Sequence, residues 1–250
     1  MGLRKTPDLI LRALLPACAT CHELKEQTLS ISIHRLTRAR RANEPLDTAL
    51  TPAEREAMVA AAAGRLEELF DILQIDYRND HNTRGTPRRV AKMFVEELLR
   101  GRYSAPPPIS DFENALGFDH LIVTGPIELR STCAHHLMPI HGHAFVGVLP
   151  AADGRIIGLS KYDRIVDHFA ARLQIQEELV KQIGNYIVDK TSPRGVAVRV
   201  SATHMCRTHR GVRADHRSRM VTTAYFGAMA EDQGLKDEFL RECLALEKGV

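Results

Sequence analysis

Two short clusters of cysteine and histidine, far apart in the sequence, constrain how this chain can fold. The first is Cys-Ala-His-His at residues 133–136, and the second is His-Met-Cys at residues 204–206. Two thiolates and one imidazole form a three-ligand zinc set whose fourth position is open to water, which is typical of a catalytic rather than a structural site. The pattern therefore predicts a fold that brings the two clusters together.

The spacing within each cluster indicates how the ligands divide. Alternating valines predict a strand over residues 196–206, in which side chains two apart share a face, so His204 and Cys206 are expected to point into the same space. The two adjacent histidines of the first cluster cannot easily both reach one ion, so we expect one to be a ligand and the other to face substrate. The alternative is that the cysteines are buried as small hydrophobic residues and that some of the twelve histidines lie beside them by coincidence.

The composition is that of a soluble globular protein. Of the 250 residues, 44% are hydrophobic and 26% are charged, and the formal net charge is only +3. Because nucleic-acid-binding domains are usually strongly basic, we expect no nucleic-acid partner. No apolar run is long enough to cross a bilayer, so we expect no membrane partner. Five cysteines without regular spacing favour a reducing, cytoplasmic location over a disulfide scaffold.

The chain divides into three predicted regions. Residues 1–50 form a poorly specified N-terminal extension, residues 51–115 a helical region, and residues 116–250 a β-rich body with a C-terminal helix. A capping box at Thr51 predicts the start of the first helix, and a run of three prolines separates the helical region from the body. In the body, strands grouped around two successive helices predict the α+β class. Further helices are predicted at residues 86–99, 160–173, 175–188 and from 235, and strands at residues 121–123, 127–129, 143–149, 196–206 and 219–227.

A second group of residues suits a polyphosphate. Ser160 is expected to cap a helix, and the start of a helix exposes unpaired N–H groups that attract anions. Cations three positions apart project from the same turn of a helix. The alternative is that these cations are ordinary solvated residues on helix surfaces. The candidate cations are Lys161, Arg164, Arg89, Lys92 and Arg210.

A third group, Gln174-Ile175-Gln176-Glu177, begins the next predicted helix. Glu177 can accept paired N–H bonds from the edge of a purine. A carboxylate near a helix start is also favoured by the helix dipole alone, without any ligand. Both interpretations stay open at this point.

Taken together, these motifs resemble the GTP cyclohydrolase I family in order and spacing. The Thr-Pro-Arg-Arg-Val-Ala-Lys-Met segment at residues 86–93 is also similar to a helical segment of that family. The resemblance extends over residues 51–243 and leaves the first fifty residues unexplained. The motifs that carry it are at residues 131–136, 158–161, 174–177, 204–206 and 210–211.

The resemblance implies a tunnelling fold (T-fold), in which two helices pack on an antiparallel sheet. It further implies pentameric rings that assemble into a homodecamer, with active sites at the subunit interfaces. The implied reaction converts GTP and water into 7,8-dihydroneopterin triphosphate and formate, the entry step to folate and related pterins.

The resemblance also implies roles for particular residues. Zn²⁺ would be held by Cys133, His136 and Cys206, and would lower the pKa of a water molecule towards neutrality. His135 and His204 would transfer protons. Ser160 and Gln176 would complete the catalytic set. The implied substrate-binding residues are Glu177 for the guanine, Lys161 near the ribose and triphosphate, and Arg164, Arg210, Arg89 and Lys92 for the phosphates.

One position departs from the pattern, because the family usually has glutamate where this chain has Ala134. The change removes a carboxylate beside the metal without removing a ligand. It keeps open a specialised enzyme that stops at the formamide intermediate or uses another purine nucleotide. A non-catalytic ring subunit that binds nucleotide is a separate alternative.

Overall fold

The computed structural model describes residues 40–249, which belong to one compact unit. Most of the predicted extension at residues 1–50 therefore lies outside the described residues, and the boundary predicted near residue 115 stays a prediction. The helices are α1 (Pro52–Ile72), α2 (Thr86–Lys92), a π-helix (Met93–Leu98), α3 (Arg100–Tyr103), α4 (Ser160–Ala170), α5 (Gln176–Thr191), α6 (Met205–Thr208), α7 (Ala228–Glu231) and α8 (Gln233–Lys248). The strands are β1 (Asp111–Glu113), β2 (Ile122–Cys133), β3 (Pro139–Leu149), β4 (Arg155–Ile157), β5 (Leu173–Gln174), β6 (Gly195–His204) and β7 (Met220–Gly227).

The main sheet has five strands in the order β5-β2-β3-β6-β7. Neighbours among β2, β3, β6 and β7 are antiparallel, and the two-residue β5 runs parallel to the end of β2. The predicted segments 121–123 and 127–129 are parts of one strand, β2, which continues through an irregular register between Thr124 and Ile127. Strands β1 and β4 form a separate antiparallel pair.

Alternating side chains of the sheet build two different cores. On β3, Ala144 and Val146 face α4 and α5, whereas Phe145 belongs to a second cluster with Phe239 of α8. Because successive residues of a strand point to opposite faces, each inward-facing set contacts a different layer of helices. Two helices on one face of an antiparallel sheet confirm the predicted α+β T-fold body.

The helical region begins as predicted and then differs in detail. Thr51 and Glu54 form the expected capping box at the start of α1. The helix predicted at residues 86–99 is α-helical only to Lys92 and continues as a π-helix. The buried residues of α2 and the π-helix are Pro87, Ala91 and Val95. Ala91 and Val95 pack on Val59 and Ala63 of α1.

The helix predicted to run to residue 173 ends earlier, at Ala170. Its last carbonyl groups lead into a turn, and Leu173 then pairs with Thr132 as part of β5. Pairing with the sheet therefore overrides the local helical pattern. Among the described helices, none is both long and apolar enough to cross a membrane.

Two glycine substitutions test the packing of the helical region on the body. A β-carbon at Gly101 would lie 1.9 Å from the backbone oxygen of His168, whereas one at Gly64, on the exposed side of α1, would meet nothing within 4 Å. We expect Gly101→Ala to lower the free energy of unfolding by about 1–3 kcal/mol through overpacking.

Gly64→Ala is the matched control, and it should raise the same free energy by up to about 1 kcal/mol because alanine is the better helix former. Urea denaturation followed by circular dichroism measures both. Equal effects of the two variants would contradict the close backbone contact at Gly101.

Candidate metal and nucleotide site

Cys133, His204 and Cys206 meet at one end of the sheet. Their ligand atoms all lie within 4.8 Å of one another. Cys133 ends β2 and His204 ends β6, and both strands pair with the beginning of β3, where Ile140 is opposite His204. The strand order β2-β3-β6 thus brings together two clusters that are far apart in the sequence.

Cys206 reaches this cluster by a different route from the predicted one. Strand β6 ends at His204, and Cys206 lies in the following helical turn, α6. The prediction that the two residues share a strand face was therefore wrong, although their side chains do meet. The reversal into α6 turns Cys206 back towards Cys133.

The buried amide of Gln176 fixes the ring of His204. The amide nitrogen of Gln176 lies 3.2 Å from the Val200 carbonyl oxygen, 3.0 Å from the Met220 carbonyl oxygen and 3.0 Å from Thr222 Oγ1. These acceptors direct Oε1 of Gln176 to His204 Nε2, at 2.8 Å. Because an amide oxygen only accepts, Nε2 of His204 carries the hydrogen, and Nδ1 of the neutral ring holds a lone pair.

The surroundings favour a neutral His204. Burial lowers the pKa of its imidazole below the ordinary value, Glu177 opposes this decrease, and Arg207 contributes to it. At neutral pH the ring is therefore unprotonated at one nitrogen. Such a ring can bind a metal ion or accept a proton.

The two cysteines have the electrostatics of a cation site. Burial raises the pKa of the Cys206 thiol, and the neighbouring Cys133 raises it further. Two thiols this close resist joint ionisation, whereas a divalent cation stabilises both thiolates. Cys133 is buried and Cys206 half-buried, and neither forms a disulfide.

The adjacent histidines of the first cluster lie in a tight turn after β2. The N–H of Leu137 donates to the Cys133 carbonyl oxygen at 2.9 Å, so residues 133–137 form one helix-like turn. His135 Nδ1 is 3.8 Å from Cys133 Sγ, and its ring centroid is 6.3 Å from that of His136. Both histidines are exposed. In the described residues, the compact group of ligand atoms contains His204 and does not include His136.

The predicted phosphate-binding residues are spread over several elements. Ser160 is the first residue of α4, and Leu159 occupies the capping position, so the predicted role of Ser160 as the helix cap was wrong. Lys161, half-buried, follows it. Lys92, the last residue of α2, forms a 3.5 Å ion pair with Glu96 of the following π-helix. The exposed cations are Arg89, Lys92, Arg164 and Arg210.

Glu177 and Gln176 begin α5 with opposite surroundings. Glu177 is exposed in the first turn, whereas Gln176 is only 1% exposed. Sequence reasoning missed the groups that hold Gln176, because Met220 and Thr222 belong to the distant β7. It also missed the role of Gln174, whose carbonyl oxygen accepts from the N–H of Ala134 at 3.1 Å. The only sequence signal was that the two glutamines stand two apart in one motif.

The sheet, its two packed helices and the Cys–His cluster define a T-fold protein with a candidate metal site. A family model described as GTP cyclohydrolase I matches residues 62–244. The chain therefore belongs to the GTP cyclohydrolase I family.

Two relatives show the extent of the similarity. The GTP cyclohydrolase 1 of Enterobacter sp. (strain 638) is 36% identical over 210 residues, which cover 84% of this chain and 93% of that protein. The GTP cyclohydrolase 1 of Shewanella denitrificans is 38% identical over 193 residues, which cover 77% of this chain and 86% of the Shewanella protein.

Substitutions at Gln176 and Thr222 test the buried amide. Gln176→Leu leaves His204 Nε2 without its acceptor and removes the side-chain donor to the Val200 and Met220 carbonyl groups, so we expect it to lower the free energy of unfolding by about 1–3 kcal/mol. Thr222→Val removes one of several acceptors and should cost about 1 kcal/mol or less. Urea denaturation checks this order, and an equal loss in both variants would argue against a fixing role for Gln176.

Proposed function

We propose that this protein is a GTP cyclohydrolase I, which hydrolyses the imidazole ring of GTP and recloses the opened product to 7,8-dihydroneopterin triphosphate and formate. The observation that carries the proposal is the meeting of Cys133, His204 and Cys206 within 4.8 Å in a chain of this family. This reaction would be the entry step in the biosynthesis of folate and related pterins.

The residues present fit a zinc ion. The neighbouring thiols of Cys133 and Cys206 are donors that zinc prefers, and together with one imidazole they would make three protein ligands that leave a position for water. We propose Cys133, Cys206 and His136 as the ligands. His136 follows Cys133 by three positions in the helix-like turn, a spacing that places side chains on one side of a turn. When bound, zinc supplies a Lewis acid that makes water a nucleophile near neutral pH.

In this assignment His204 is a proton carrier beside the metal rather than a ligand. The hydrogen bond from its Nε2 to Gln176 holds the ring so that Nδ1 is the atom that accepts and returns a proton. A neutral ring at neutral pH suits this role. His135, exposed and near Cys133, is proposed to donate a proton to the purine nitrogen during ring opening.

The remaining residues are proposed to hold GTP. Glu177 receives the N–H groups of the guanine edge, and Ser160 and Lys161 lie near the ribose and triphosphate. The phosphate-binding cations are exposed, and Lys92 would exchange its exposed ion pair with Glu96 for a phosphate. These cations are Arg89, Lys92, Arg164 and Arg210.

An assembly of pentameric rings, paired into a decamer, completes this proposal. The support is a set of large apolar side chains that one chain leaves in solvent, since exposed apolar surface of this kind marks subunit contacts. Two of the most exposed, Leu159 and Val212, are close in sequence to the proposed ligand-binding residues Ser160 and Arg210. Others are Ile72 at 76%, Leu73 at 57%, Phe112 at 62% and Leu116 at 97% exposure.

A cytoplasmic location is proposed on the chemistry of the site. Cys133, Cys206 and Cys243 are free thiols among the described residues. A metal site that needs two thiolates is preserved in a reducing compartment, where disulfides rarely form.

Metal analysis of single variants tests the ligand assignment. Wild-type protein prepared with zinc should contain about one zinc per chain, as expected for a three-ligand catalytic site. Cys206→Ser should abolish turnover, and His136→Ala should lose zinc. His204→Ala should keep zinc and lose turnover, because it removes a proton carrier.

If His204→Ala loses zinc and His136→Ala keeps it, the third ligand is His204 instead of His136. If folded wild-type protein binds no zinc even when zinc is in excess, the proposed hydrolytic function is wrong.

Product analysis tests the reaction and the departure at Ala134. Wild-type protein with GTP should release formate and give a fluorescent pterin after oxidation. Ala134→Glu should preserve or raise the rate, because it restores a hydrogen-bond acceptor beside the metal.

Formamide that accumulates without pterin would support the enzyme that stops early. Nucleotide binding without turnover would support the non-catalytic subunit. A collapse of activity in Ala134→Glu would show that the site is built around alanine.

A further inference from the structure

The residues 40–44, which we call the strap, are held by two arginines from distant elements. Arg102 donates from Nη1 to the carbonyl oxygens of Arg41 at 2.5 Å, Ala42 at 3.1 Å and Glu44 at 2.8 Å. Arg172 donates to the carbonyl oxygen between them, that of Asn43, at 3.1 Å. The backbone of the strap is thus fixed by charged donors rather than by a helix or a strand.

Arg172 makes the strap hard to displace. Arg172 is 2% exposed, and within residues 40–249 its guanidinium forms no ion pair with a carboxylate. It is satisfied by the carbonyl oxygens of Asn43 and Gly101 and by Nε2 of His168 at 2.9 Å. Burial lowers the pKa of His168 to about 4, which keeps that nitrogen an acceptor. Removing the strap would leave a buried cation short of a partner, which is costly.

Gln182 connects the strap to the interior. Its amide nitrogen donates to the same Asn43 carbonyl oxygen at 3.3 Å, and its Oε1 accepts from Nε2 of Gln174 at 2.9 Å. The side-chain amide of Asn43 also donates a 2.6 Å hydrogen bond to Glu178, which lies in the first turn of α5, the helix that contains Gln182. The strap therefore contacts α5 at two places, and one of them leads directly to Gln174.

Gln174 is in turn bound to the loop that carries the first cysteine. It pairs with Cys133 in the parallel β5–β2 register, and its carbonyl oxygen accepts from the N–H of Ala134. Two residues later, Gln176 holds His204. The segment 174–176 thus supports both halves of the Cys–His cluster, and Gln182 is the side chain that ties this segment to the strap.

We propose that Gln182 is a positioning residue for the metal site, which holds Gln174 against the strap and thereby fixes the loop of Cys133. This inference rests on the proposed zinc site and deepens it. Gln182 is half-buried in α5, and it acts through Gln174 and the backbone of Ala134 rather than by contact with metal or substrate. Groups that orient metal ligands from outside commonly change metal affinity 10–100-fold when they are removed.

The test compares two variants of α5 in the zinc-loaded, full-length protein. Gln182→Met keeps the length of the side chain and removes both hydrogen bonds. Tyr186→Phe, one turn later, removes a 3.0 Å hydrogen bond to the carbonyl oxygen of Pro107 and leaves the connection to Gln174 intact. The first readout is the rate at which zinc passes to an excess of a chromophoric chelator. The second is the visible absorption spectrum of the cobalt-loaded protein, which reports the geometry of thiolate ligands.

We expect Gln182→Met to release zinc about tenfold faster than wild type, the lower end of the change seen when outer groups are lost. Its cobalt spectrum should shift, and Tyr186→Phe should match wild type in both readouts. Gln182→Glu keeps the acceptor for Gln174 and loses the donor to Asn43, so its release rate should be intermediate. This variant also decides the question if Gln182→Met does not fold.

If Gln182→Met and Tyr186→Phe have the same zinc-release rate and the same cobalt spectrum, Gln182 has no positioning role. The proposed zinc-dependent function is unaffected by that result. The same conclusion follows if Gln182→Glu, as the variant that folds, releases zinc at the wild-type rate. Wild-type protein that holds no zinc would overturn both the proposed function and this inference.

Discussion

The antiparallel pairing of β3 with β2 on one side and β6 on the other is the constraint on which the site depends. It places the ends of β2 and β6 next to each other, so that Cys133 and His204 approach across the first residues of β3. A slip of one residue in either pairing would turn every side chain of a strand to the opposite face. The apolar cores on both faces of the sheet oppose such a slip, because each would have to expose its packed side chains to water.

A buried polar network supports the cluster of sulfur and imidazole. Gln176 fixes His204 through an amide that has all its partners, and Gln174 carries the loop of Cys133 through a backbone bond. In a low-dielectric interior, such networks are strong when they are satisfied and costly when one member is lost. A ring and a thiol held in this way need little rearrangement when a ligand binds beside them, and such preorganisation favours catalysis.

The surface of the chain exposes charged and apolar side chains that the proposed assembly would cover. The candidate phosphate-binding cations are exposed on several elements, and two exposed apolar side chains, Leu159 and Val212, are close in sequence to Arg164 and Arg210. In the proposed assembly, a second chain that covered Leu159 and Val212 would lower the dielectric around the cations next to them in sequence, which would then attract a triphosphate more strongly. Assembly and substrate binding would then depend on the same surfaces.

The sequence alone determined the local features and the donor types of the candidate site. The capping box at Thr51 follows from residue type and short spacing and is found in the structure. The zinc-like donors Cys133 and Cys206 follow from residue type, and the structure brings the two thiols together. Tertiary structure alone decided that Cys206 lies in a helical turn, that the helix after Ser160 stops for β5, and that Gln182 joins the strap to Gln174. The physical reason is that local patterns record backbone preference, whereas these outcomes depend on pairings between residues far apart in the chain, whose energies no short window of sequence contains.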